Sequence, residues 1–190
     1  MAKQRNNIIM RSTRGMFGKQ IVFKRRAGRS YVAAPPEVNE NRKATLKQLA
    51  VQQRFKTSIA YAKAALTSIE LKEAYDKVAL RGQSAFNVAF KDAFNAPEIV
   101  GIVAEGYQGV AGNVIVVHAK DDFRVNAVKV SIRNSADELI EEGAATANAD
   151  GLSWSYVVQL PNPDVTGTKI RATAFDIPEN EGSLEVTMGS

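Results

Sequence analysis

Hydrophobic positions along the chain change their period once. Up to about residue 95 the longer patterns recur every three or four residues, and beyond Pro97 they recur every two. Residues 1–16 show neither period and are expected to be irregular. Residues 18–24 and 29–34 carry β-formers (Ile21, Val22, Phe23, then Tyr31 and Val32) around an Arg26-Ala27-Gly28-Arg29 turn. Pro35-Pro36 ends the second of these strands, because proline has no N–H to give a ladder. A helix is predicted from about Arg42 to Leu66, with Val51, Phe55, Ile59, Ala62 and Leu66 as its apolar stripe. Thr67-Ser68-Ile69-Glu70 fits a capping box opening a second helix, which should bury Leu71, Ala74, Tyr75 and Val78 before Arg81-Gly82. The third helix runs from Gln83 to Asn95. Its stripe of Phe86, Ala89, Phe90, Ala93 and Phe94 reads as core.

After Pro97 short alternating runs take over: 99–104, 113–119, 127–133, 152–159, 168–175 and 183–188. Val128, Val130 and Ile132 alternate with Lys129, Ser131 and Arg133, the signature of one buried and one wet face. Many short strands divided by Gly, Asn, Asp and Pro predict an antiparallel β-sandwich. The expected fold class is therefore α+β in two domains. Residues 1–96 form a basic hairpin with three helices, and residues 97–190 form an all-β immunoglobulin-like sandwich. Trp154, the one tryptophan, is expected to anchor its core.

Charge follows the same division. The net charge of +5 is the sum of +13 over residues 1–96 (19 Lys/Arg against 6 Asp/Glu) and −8 over residues 97–190 (6 against 14). Residues 1–34 hold nine basic side chains and no acid. A solvated tail accounts for some charge runs, but this asymmetry suggests a segment that meets an anionic partner. The docking candidates are Arg11, Arg14, Lys19, Lys24, Arg25, Arg26 and Arg29. Their partner is either an acidic protein surface, such as a tube, shell or other particle component, or a nucleic acid, whose phosphates attract the same side chains. No apolar run approaches the roughly 20 residues needed to span a bilayer. No signal-peptide core is read at the front either, so synthesis in the cytoplasm is expected, with release only inside a larger particle.

The chemistry candidates are few. The chain has no cysteine, which removes disulfides, thiolate metal sites and cysteine nucleophiles. His118 is the only histidine and lies in an apparent strand, where a structural role is expected. Asp121, Asp122 and Asp176, with Asn180 and Glu181, would supply oxygen ligands to calcium if their loops converged. Read by turn chemistry alone, they are ordinary turn residues. Glu138, Glu141 and Glu142 read as a solvated hairpin. Gly106, Gly109 and Gly112 lack the Lys-Ser/Thr of a phosphate-binding loop. No enzyme and no cofactor is expected.

Two resemblances add to this. Val116–Asp122, Val128–Ile132, Trp154–Val158 and Gly167–Asp176 resemble the strands of bacterial immunoglobulin-like domains, which occur in surface and phage-derived proteins. The resemblance covers roughly residues 99–188 and implies a fold more than a task. Gly15-Met16-Phe17-Gly18-Lys19, the Ile21-Val22-Phe23 strand, the prolines and the Gln48–Phe55 helix resemble an uncharacterised Bacteroidota family over residues 8–95. Some of its members are associated with phage-like particles, including extracellular contractile injection systems, where small proteins ride as cargo. That resemblance implies cargo or a component of such a particle. The alternatives are a structural virion or adhesion protein that decorates a surface, and a nucleic-acid-binding protein.

Overall fold

The computed structural model describes residues 13–26, 29–35 and 43–189. It divides the chain into two compact units, Met1–Thr45 and Leu46–Ser190.

In the first unit three antiparallel strands, β1 (Gly15–Phe17), β2 (Ile21–Arg26) and β3 (Arg29–Ala33), form one sheet in that order. Residues 1–16 are expected to be irregular, yet Gly15 and Met16 join Phe17 in a strand. The reason is the turn after it: Gly18 and Lys19 both take φ of 56°, and the Gln20 N–H bonds the Phe17 carbonyl at 3.1 Å, folding Phe17 back opposite Ile21. Glycine at the first position makes that left-handed pair accessible. The predicted turn residues Ala27 and Gly28 lie outside the described residues.

The second unit begins with helix α1 (Leu46–Ala65), followed by α2 (Ile69–Val78) and α3 (Ala85–Phe94). The change of period at Pro97 falls inside this unit, so the helices grouped with the basic strands in the sequence share a compact body with the sandwich. The capping residue of α2 is Ser68, whose hydroxyl accepts from the Leu71 N–H at 3.4 Å; Thr67, one residue earlier, donates instead to the Ala64 carbonyl at 2.6 Å. The stripe predicted for α1 is only partly buried. Ser58, Ala62 and Ala65 face inward, while Val51 and Phe55 stay exposed. Helix α3 likewise buries Ala85, Val88, Ala89, Asp92 and Ala93, and its phenylalanines sit at the margin. Phe90 and Phe94 stack on each other at 5.6 Å, with Phe55 edge-on to both.

Eight strands follow: β4 (Glu98–Val103), β5 (Val114–Lys120), β6 (Ala127–Arg133), β7 (Leu139–Ala144), β8 (Thr146–Ala147), β9 (Ser153–Val157), β10 (Lys169–Phe175) and β11 (Glu181–Thr187). They pair antiparallel in two four-stranded sheets, β4-β5-β9-β8 and β11-β10-β6-β7. That is the strand partition of an immunoglobulin-like sandwich. The inward positions Ile115, Val117, Val128, Val130, Ile132, Ile170, Ala172 and Ala174 fill the space between the sheets. Trp154 packs against this core but is only partly buried, and the fully covered aromatic positions are Tyr107 and Tyr156. The cause is placement: Trp154 lies opposite Ala147 of the two-residue strand β8, which is too short to cover it.

Candidate functional site

Two features stand out, one in each unit. In the first unit Arg14, Lys19, Lys24 and Arg25 are all exposed, as are Met16 and Phe17. Arg26 and Arg29 stand opposite each other in the β2–β3 register. Arg11 lies outside the described residues. No described residue of this unit is buried; Lys24 and Arg25 lie in β2, Arg14 just before β1 and Lys19 in the β1–β2 turn.

The second feature lies where α3 meets the loops at one end of the sandwich. Asp92 of α3, Asp121 just after β5 and Asp176 just after β10 each offer an oxygen, and these atoms lie within 4.8 Å of one another. Helical spacing explains Asp92: it follows Ala85, Val88 and Ala89 on the buried face of α3. Its Oδ2 accepts a 2.5 Å hydrogen bond from the Tyr75 hydroxyl, which in turn lies 3.0 Å from the Tyr61 hydroxyl. The Phe123 ring packs on Tyr75 with centroids 4.5 Å apart. Asp121 accepts at Oδ2 from the Phe123 N–H at 3.2 Å, a turn closing on itself. Asp176 accepts from the Asn180 backbone N–H at 2.6 Å and from its side-chain amide at 2.7 Å.

Electrostatics mark this place as costly. Burial pushes the Asp92 carboxyl up to about 7; the Tyr75 hydrogen bond works against that, and the neighbouring Asp121 and Asp176 reinforce it. The Asp176 carboxyl is raised too, by burial, against the hydrogen bonds from Asn180. The Tyr75 hydroxyl is pushed far up by burial and by its bond to Asp92.

Of the predicted oxygen ligands, Asp121 and Asp176 are brought together and Asp122 is not. Asp122 turns to Lys91 and Asn95, each at 2.5 Å. Burial opposes ionisation of Asp122, but these two hydrogen bonds outweigh it and hold its carboxyl below the usual range. Glu181 lies in β11. Asp92 was not singled out in the sequence, although its signal was there: a carboxylate at the i+7 position of the Ala85, Val88, Ala89 pattern. A buried polar residue on an apolar stripe is the informative exception.

The remaining candidates lie elsewhere. His118 is exposed on the outer side of β5. Glu141, read as solvated, is buried in β7 because its Oε2 accepts from the Gln159 and Leu160 N–H groups at 2.9 and 3.0 Å. Gly109 takes φ of 71°, and a Cβ there would run into the Asn162 carbonyl. Its glycine is a packing requirement.

No family model matches this chain, and no curated protein matches it. Two solved structures are similar in part. The N-terminal part of the bacterial S-layer protein SbsC is 11% identical over 73% of this chain and 39% of that one, with a TM-score of 0.31. An engineered protein is 18% identical over 40% of this chain and 16% of that one, with a TM-score of 0.30. The chain thus spans well under two thirds of either, and at these TM-scores neither defines a shared fold.

Proposed function

We propose that the protein is a non-catalytic docking protein, held on an acidic protein surface by its basic first unit while the sandwich is carried or presented. The observation that carries this reading is the exposure of Arg14, Lys19, Lys24 and Arg25 on a sheet in a unit of its own, within a stretch that has no acid before Glu37. A three-stranded sheet with no buried side chain among its described residues gains stability from a second surface, and a partner supplies one. The resemblance of residues 8–95 to proteins of phage-like particles favours the tube or shell of a contractile injection particle as that partner, with this protein as cargo or component.

A second reading, nucleic-acid binding, has one observation in its favour. Phe17 is 72% exposed beside Lys19, as a base-stacking aromatic would be.

One experiment separates the two. Replacing Arg14, Lys19, Lys24 and Arg25 with Ser should abolish co-purification with particles and leave the melting of the second unit unchanged. Loading of the wild type should weaken as salt rises, because exposed charges are screened beyond about 8 Å at physiological ionic strength. Wild-type protein that binds oligonucleotides at that salt, with a steep log-salt slope, and ignores acidic protein surfaces would establish the second reading instead.

A further inference from the structure

We propose that Asp92, Asp121 and Asp176 hold a calcium ion, which fastens helix α3 to the β5–β6 and β10–β11 loops at one end of the sandwich. Three carboxylates from three separate elements, each offering one oxygen within 4.8 Å of the others, supply the geometry. A second observation points to a ligand. Asp92 is 0% exposed, yet its Oδ1 has no hydrogen-bond partner, and the buried Oδ1 of Asp121 has none either. Among the described residues only one other buried side-chain atom is unsatisfied, Oε1 of Glu141. Buried polar atoms are nearly always paired, so two such orphans in one cluster call for a missing partner.

Hydrogen bonds from the surroundings hold all three carboxylates. Tyr75 holds Asp92 Oδ2, the Phe123 N–H holds Asp121 Oδ2, and Asn180 holds Asp176. These bonds orient the carboxylates from outside, as the surroundings of a metal site do. No Lys or Arg pairs with any of the three among the described residues; Lys91, the cation at this join, pairs with Asp122. A single shared proton would join Asp92 Oδ1 to Asp121 Oδ1 and leave two buried negative charges. A divalent cation joins all three groups and leaves one.

The donor set selects the ion. Carboxylates alone suit calcium, magnesium or manganese and not zinc or copper. Three carboxylates from three separate segments suit calcium, since magnesium is usually held by one or two and keeps several waters. Waters complete the shell of about 6–8 oxygens, entering past Asp121, the least buried of the three.

The test uses the full chain stripped with EDTA. Calcium should raise its melting temperature with half-effect at or below about 1 mM, the range of modest calcium sites. Terbium in the same place should luminesce on tyrosine excitation through Tyr75 and be displaced by calcium. Asp92→Asn and Asp121→Asn should each lose both signals, while Asp122→Asn keeps them. If Asp92→Asn fails to fold, Asp121→Asn decides alone. Wild type with no thermal shift and no binding heat up to ~5 mM calcium, well above that range, overturns the proposal. So does equal loss in Asp121→Asn and Asp122→Asn, which would mark diffuse attraction to acidic loops, or an equal response to magnesium.

Discussion

The two units use the same β-forming residues to different ends. Ile21, Val22, Phe23, Tyr31 and Val32 build a sheet in the first unit, yet no described residue there is buried. Val128, Val130 and Ile132 build a similar strand in the second, and all three are buried because a second sheet lies across from them. Alternation therefore specifies a strand, and a second layer turns that strand into core. The contrast extends to charge. The first unit displays its described cations, whereas the second draws carboxylates inward at Asp92, Asp176 and Glu141.

Core truncation tests this contrast most strongly. Ile132→Ala should cost about 4 kcal/mol in a urea melt, as emptying a closed aliphatic site does. Val22→Ala should stay within about 0.5 kcal/mol of wild type, as changes outside a core do. A comparable loss from both would show that the first unit has a core after all.

The pH response should be next in size. In EDTA, Asp92 binds its proton up to about pH 7 in the folded chain, whereas the unfolded side chain releases it near the ordinary carboxylate value. Asp176 shifts the same way. Their contribution to stability is thus fully present below about pH 4 and is lost as pH rises toward 7, by an amount on the order of 3 kcal/mol. The groups facing this site are Tyr75 of α2, Tyr61 of α1, and Asp121, Asp176 and Arg124 of the sandwich side. Chemical melts at pH 5 and 7.5 measure the drop. A rise over that interval would mean that the carboxylates are paired by something other than protons.

Trp154→Ala should cost less, about 2 kcal/mol, because the indole covers the edge of the core and does not fill it. A loss equal to that of Tyr156→Ala would return Trp154 to the anchoring role that the sequence suggested.

How far the sequence could be read depended on how local the cause was. Residues 127–133 were predicted as a strand with the bounds observed, since their alternation reflects one buried face along its whole length. Strand β7 was missed because Glu141 and Glu142 look solvated. Only the distant Gln159 and Leu160 N–H groups make room for a carboxylate inside. The α1 stripe was overestimated for a related reason: α3 covers only part of that helix, which leaves Val51 and Phe55 at the surface. The carboxylate cluster was half legible. Asp121 and Asp176 sit in loops at the sandwich end, where oxygen ligands were sought, but their third member comes from a helix some 30 residues upstream of Asp121. No spacing rule links a helix face to two loops.

The seam between β11 and β4 has a further consequence for how copies of this protein treat one another. At Gly182 of β11 a Cβ would strike the Pro97 carbonyl just before β4, so the two edge strands meet closely there. The other borders are blunted in their own ways. Strand β4 is bent by an irregularity between Ile99 and Gly101, β7 carries Glu142 facing Lys129, and β8 is two residues long. Breaks, charges and short length of this kind are how edge strands avoid pairing with the backbone of a neighbour. Such borders leave copies held at high local density less backbone to pair with.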